Sequence, residues 1–138
     1  MLLKLTINYE KTKFLPFACY KNNLPKYDTL TLVSQNTILR SVSNIKYLGV
    51  TIDSHLRWDI HSNNIAGTLR CLVYKFKYLR NFLLINQLKT IYYALVESRL
   101  QYAILSWGGI ANTHLKKLEI LQKRIKNNIQ QSKYLPVR

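Results

Sequence analysis

Six carboxylates, Glu10, Asp28, Asp53, Asp59, Glu97 and Glu119, are the only acids of the 138-residue chain, and no two sit adjacent on one strand turn. Two-metal phosphoryl chemistry needs carboxylates converging on ions about 3.5–4 Å apart, which this spacing does not offer. Asp53-Ser54-His55 and Asp59-Ile60-His61 lie astride a predicted turn. Two Asp-x-His pairs so placed read as surface and capping residues rather than as a metal centre. The chain has no Gly-rich phosphate loop, no nucleophile elbow and no CxxC. What it has in quantity is positive charge: 21 Lys and Arg give a formal +15. That excess predicts attraction to polyanions, most simply nucleic acid, with an anionic membrane surface as the main rival.

The bases are patterned. Arg70, Tyr74, Lys77 and Asn81 stand at i, i+4, i+7 and i+11. On a helix this is one line, with bases suited to phosphates and Tyr74 available for stacking. Lys116, Lys117, Lys123 and Arg124 repeat at seven-residue spacing and are assigned to the outward side of a later helix. The charge is also uneven. Residues 1–55 hold seven bases and three acids, whereas residues 56–138 hold fourteen bases and three acids. The back of the chain carries most of the field.

The elements that must position these residues follow from periodicity. An apolar fraction of 48% is that of an ordinary globular chain. In front, residues 3–7, 12–17, 29–33, 38–39 and 47–52 read as short strands, with Pro16 restricting its strand to an edge or an end. Loop lengths between 29 and 52 predict a three-stranded antiparallel meander. Gly49, inside the run from Tyr47 to Ile52, marks either a close approach of the backbone to a partner or a β-bulge. Behind, Ile65, Leu69, Leu72, Val73, Phe76, Leu79 and Leu83 predict a helix over about 59–82, which Asp59 can cap. A second helix is predicted over 87–105, apolar on two faces and therefore central, with Arg99 near its main apolar face and Ser106-Trp107-Gly108-Gly109 ending it. A third, capped by Asn112 or Thr113, runs over 112–131. The expectation is an α+β chain: a small antiparallel β meander over residues 1–55, then a three-helix bundle over 56–138.

Cys19 and Cys71 form no ligand cluster and read as reduced thiols of an intracellular protein, with nothing to choose between nucleus and cytoplasm. Lys4 follows Met1-Leu2-Leu3 too soon for a signal peptide, and no run of about 18 apolar residues predicts a membrane span.

Several motifs together resemble the end of the palm and the thumb of reverse transcriptases from LINE-type, jockey-like non-LTR retrotransposons. They are Asn8 with Lys11-Thr12-Lys13-Phe14; Lys46-Tyr47-Leu48-Gly49-Val50 with Asp53, Leu56 and Trp58; Thr90-Ile91-Tyr92-Tyr93-Ala94-Leu95-Val96-Glu97-Ser98; Leu100-Gln101-Tyr102-Ala103 before Trp107-Gly108; and the helix from Leu115 to Arg124. All occur in the family's order, over roughly residues 5–130. Ala103 departs from the pattern, where the family more often has glycine.

The resemblance implies a fragment of an RNA-directed DNA polymerase whose catalytic aspartates precede this stretch, so that Mg is expected only in the complete enzyme and none in this chain. It implies that Tyr47, Leu48, Gly49 and Val50 form a primer-grip-like element. Lys11 and Lys13 would lie near the incoming nucleotide. Arg70, Tyr74, Lys77, Lys116, Lys117, Lys123 and Arg124 would hold a template–primer duplex by its backbone, with the rest of the palm as protein partner. The alternatives are a stand-alone basic RNA- or DNA-binding module without chemistry, and a helical domain that meets an acidic protein.

Overall fold

A computed structural model of the chain describes residues 8, 11–17, 31–34 and 37–132. The expected strands over 3–7 and the start of the one over 29–33 lie outside the described residues. The chain divides into two compact units, Met1–Arg57 and Trp58–Arg138. It is α+β, two small antiparallel hairpins followed by helices.

In the first unit, β1 (Thr31–Ser34) pairs with β2 (Thr37–Arg40), and β3 (Asn44–Tyr47) pairs with β4 (Val50–Asp53). The hairpins are separate two-stranded sheets and not one meander. Residues 12–17 contribute a single parallel bridge, Phe14 to Ser41, with the Val42 N–H donating to the Phe14 carbonyl at 3.0 Å.

The run from Tyr47 to Ile52 is not one strand. Leu48 (φ 45°) and Gly49 (φ 83°) are both left-handed, and Tyr47 pairs with Val50 across them. Two consecutive positive-φ residues between antiparallel strands make a type I′ turn, whose twist matches that of its strands. Gly49 is therefore neither mid-strand nor in a bulge; it closes a hairpin. Beyond β4 the Asp53 carboxylate accepts the backbone N–H groups of His55 (3.0 Å) and Arg57 (3.1 Å), which ends the β-rich unit.

In the second unit, α1 (Asp59–Leu79) and α5 (Asn112–Gln130) lie side by side. They run parallel. Near their starts His114 reaches Asp59 and Ser62, and Lys117 reaches Asn63; near their ends Asn128 bonds the Val73 carbonyl, and Arg80 bonds Asn128 and Gln131. Asp59 is the first helical residue, not the cap; Trp58, at φ 63°, takes the cap position. The cap of α5 is Ala111, without a side-chain bond, in place of Asn112 or Thr113.

The return between the parallel helices is where the expected second helix differs. It comprises α2 (Ile85–Tyr92), a π turn (Tyr93–Glu97) and α3 (Ser98–Gln101) as one helical path. The break falls at Tyr102, which is extended, and Ala103, at φ 53°, with α4 (Ile104–Trp107) as a separate turn after it. The helix therefore stops before the glycine pair, because the left-handed residue comes first. Arg99 is exposed, not near the apolar face, since the π turn rotates the residues beyond it.

The core of this unit joins Leu69, Leu72 and Phe76 of α1 to Leu88, Tyr92 and Val96 and to Leu118, Leu121, Ile125 and Ile129 of α5. Trp107 fills its centre, 1% exposed, and its indole N–H donates to the Tyr102 carbonyl at 2.8 Å. That bond ties the α3–α4 break to the core.

Candidate nucleic-acid interface

The parallel packing decides which cations meet. Lys117 donates to Asn63 Oδ1 at 2.7 Å. Seven residues are two turns, about 10 Å along each axis. Advancing both helices by seven from that contact sets Arg70 of α1 alongside Arg124 of α5. A further seven sets Lys77 alongside Gln131. Arg70, Lys77 and Arg124 are exposed, and no carboxylate of the described residues pairs with them. Two rows of heptad-spaced positions thus line the α1–α5 seam with four cations: Arg70, Lys77, Lys117 and Arg124.

Lys116 and Lys123 do not join this seam. Consecutive helical residues stand about 100° apart, so Lys116 and Lys123 face a different direction from Lys117 and Arg124. They form an exposed shoulder of α5, turned away from α1. Tyr74 is 76% exposed and borders the seam on the α1 side.

The residues of the first unit hold their own arrangement. At the turn between β3 and β4, Tyr47 is 62% and Leu48 71% exposed, while Val50 is buried. A leucine held at φ 45° costs more than the glycine or asparagine that type I′ turns favour. The hairpin therefore keeps two apolar side chains in water at a strained tip. Lys11 and Lys13 are exposed. The Asn8 side chain accepts the Lys11 N–H at 3.2 Å, and the Thr12 hydroxyl donates to the Asn8 carbonyl at 2.8 Å, which makes the Asn8–Thr12 stretch a tied turn.

The described carboxylates are dispersed. Asp53 caps the turn after β4; Asp59 lies 3.1 Å from His114 Nε2; Glu97 accepts from Tyr92, Gln101 and Gln122; Glu119 is exposed on α5. Among the described residues no group of three His, Cys, Asp or Glu could hold a metal ion. These residues do not fit a two-metal polymerase centre.

One constellation has no local signal in the sequence. Ser62 Oγ, His114 Nδ1 and Nε2, and Asp59 Oδ1 stand in series at 3.2 and 3.1 Å. It has the outline of a Ser-His-Asp triad. Ser62 is nonetheless 2% exposed, within the helix, and donates its proton to the Asp59 carbonyl at 3.0 Å. It is a clamp between the starts of α1 and α5. His114 lies 52 positions from Ser62, a separation no local pattern reveals.

A second cluster surrounds the π turn. The Tyr92 hydroxyl donates to Glu97 Oε2 at 2.8 Å and accepts from Gln122 at 2.7 Å; Lys126 stands 5.6 Å over its ring. Tyr92 and Glu97 are five apart, the repeat of a π turn, so the bulge is what lets them meet. Burial first, then the bond to Glu97, pushes the Tyr92 phenol up to about 12. His61 is buried between Trp58 and Trp107 with ring centroids at 6.5 and 5.5 Å, and burial lowers its pKa. Both groups serve the fold.

A concavity of about 250 Å³ lies between the α3–α4 segment and α5, lined by Leu100, Ile104, Trp107, Leu115 and Leu118 with Glu119 at its edge. Its lining carries no cation, so the cationic seam and this groove are different places. No described helix is long and apolar enough to cross a membrane.

Comparison with known proteins gives three relatives of one kind. The chain is 32% identical over 122 residues (86% of its length) to the RNA-directed DNA polymerase from mobile element jockey of Drosophila melanogaster. It is 32% identical over 96 residues (67% of its length) to the jockey polymerase of Drosophila funebris. It is 30% identical over 83 residues (58% of its length) to the probable RNA-directed DNA polymerase from transposon X-element of Drosophila melanogaster. The chain spans about a tenth of these relatives' own length: 13%, 10% and 9% respectively. No protein-family model and no solved structure matches it.

Proposed function

We infer, from its homology to the reverse transcriptases of jockey-type non-LTR retrotransposons, that this chain is the palm end and thumb of such an RNA-directed DNA polymerase and holds a template–primer duplex by its backbone. The observation that carries the reading is the α1–α5 seam. Four cations stand there in heptad register on two parallel helices, with no carboxylate of the described residues paired to Arg70, Lys77 or Arg124. Like charges assembled at two-turn intervals repel one another unless a polyanion lies along them. Contacts of this kind fix position and carry no sequence information.

In the same reading the β3–β4 hairpin is the primer-grip element. Strain at Leu48 and apolar exposure at Tyr47 and Leu48 are kept where a ligand would use them, against the sugar face of the primer strand. Lys116 and Lys123 are the outer shoulder of the duplex track, and Lys11 and Lys13 neighbour the incoming nucleotide. The metal-binding carboxylates of the reaction, and the Mg they hold, belong to the rest of the polymerase, so this chain binds without polymerising.

The test is binding of the 138-residue chain to a blunt RNA–DNA hybrid, titrated against salt. Affinity that falls steeply as salt rises supports the backbone-holding reading. Absence of binding at about 50 mM salt, where phosphate contacts are strong, overturns it and leaves the charge to an acidic protein partner.

A further inference from the structure

On the outer side of α1, next to the seam, four residues climb at four-residue steps: Arg70, Tyr74, Tyr78 and Phe82. Positions i and i+4 are neighbours on a helix surface, so these side chains form one ridge, with Phe82 in the turn that continues α1. The aromatic members are 76%, 63% and 60% exposed, and the Tyr78 and Phe82 rings lie 5.0 Å apart at 45°. Three adjacent aromatic rings facing water form an apolar patch of a kind that marks a binding surface. Lys77 stands three residues from Tyr74, and Lys75 three residues from Tyr78, both exposed. The one acid of α1, Asp59, is at the far end and engaged with His114.

We propose that the Tyr74–Tyr78–Phe82 ridge is a stacking track for single-stranded nucleic acid, with Arg70, Lys75 and Lys77 taking its phosphates. The choice of a single strand follows from two features. A duplex hides the faces of its bases, whereas a single strand offers them to aromatic side chains. Successive positions along the ridge rise about 6 Å, and the Tyr78 and Phe82 ring centroids stand 5.0 Å apart, both wider than the ~3.4 Å rise of stacked bases. A strand whose bases are splayed apart matches that repeat. The charge is complementary on both flanks, and the aromatic faces are sequence-tolerant, so the track grips without reading sequence. The proposal rests on the chain being a polyanion binder; it shares Arg70 and Lys77 with the seam and departs from it at Tyr74, Lys75, Tyr78 and Phe82.

The experiment measures fluorescence anisotropy of labelled dT12, rU12 and a blunt 12-bp RNA–DNA hybrid with the full chain and with Tyr78→Leu/Phe82→Leu. Leucine keeps apolar contact and removes the π face. Stacking worth about 5- to 150-fold per base against alanine, of which leucine keeps the apolar share, predicts that the double variant loses at least about 5-fold on dT12, rU12 or both. Its hybrid affinity stays within about two-fold, and Tyr78→Phe/Phe82→Tyr binds single strands like the parent. Far-UV circular dichroism confirms that each variant is folded. Unchanged single-strand affinity in the leucine variant overturns the proposal and assigns the rings to a protein contact. Equal loss on strand and hybrid overturns it as well. A parent chain that binds the hybrid but neither single strand refutes the ridge and leaves the seam standing; one that binds none of the three refutes both readings.

Discussion

Replacing Lys117 and Arg124 together by alanine removes half of the cations that line the α1–α5 seam. Each phosphate neutralised on a duplex contributes about 0.9 to the slope of log affinity against log salt. Four seam contacts therefore give a slope near −3.6, and affinity for an RNA–DNA hybrid falls about 150-fold between 50 and 200 mM salt. With two contacts left the slope is near −1.8 and the same interval costs only about 12-fold. Lys117→Ala also gives up a hydrogen bond to Asn63 at an exposed position, worth about 1 kcal/mol of stability, which thermal unfolding reports separately. The assay is anisotropy of a labelled hybrid at several salt concentrations. Lys116→Ala/Lys123→Ala serves as the comparison, since those side chains stand about 100° round α5 from the seam and should flatten the slope less. A seam variant that keeps the parent slope, or a shoulder variant that flattens it more, refutes the register argument.

Ala103, left-handed at φ 53°, carries a strain that glycine avoids, so Ala103→Gly should stabilise by up to about 1 kcal/mol. That is a rise of a few degrees in Tm, whereas Ala103→Val should lower it. Phe76, 1% exposed in the core, should cost about 3–5 kcal/mol when changed to alanine, seen as a lower denaturant midpoint. His61 has a folded-state pKa depressed below its ordinary value by burial; the unfolded chain then binds the extra proton, so this contribution is present above about pH 6.5 and lost as pH falls. His61→Phe should flatten the loss of Tm between about pH 7.5 and 5.5, and an unaltered pH dependence would remove His61 from the account. Tyr92, raised to about 12, favours the folded state while its phenol is protonated; that contribution holds below about pH 10 and disappears as pH climbs through its folded value. Ultraviolet titration should show a late tyrosine component that Tyr92→Phe removes.

Much of the helical unit is legible in the sequence because its cores are periodic. Leu69, Leu72 and Phe76 recur at helical spacing, and so do Leu115, Leu118, Gln122, Ile125 and Ile129, which makes α1 and α5 readable from sequence. What periodicity cannot give is the direction of packing between elements 54 residues apart. The parallel register, which separates Lys117 from Lys116, is therefore invisible there. The middle helix departs from expectation for a different reason. A π turn and a left-handed alanine are violations of local preference, sustained by Trp107 and by the Tyr92–Glu97–Gln122 bonds. The hairpin at Leu48-Gly49 reads as a strand because leucine there breaks the usual Asn-Gly or Asp-Gly signal. Ala103 likewise offers no glycine signal for the left-handed backbone it adopts at φ 53°.

The parallel pairing of α1 and α5 also sets the order in which this unit can assemble. At synthesis rates of about 5–20 residues per second, the first rod leaves the ribosome roughly three to ten seconds before its mate. Throughout that wait its oily stripe has no permanent cover, and only the helix between them can shelter it. Closure over so long a loop is slow compared with the snapping together of sequential hairpins. The nascent unit is therefore exposed to chaperones, and to misassembly, for most of its own translation.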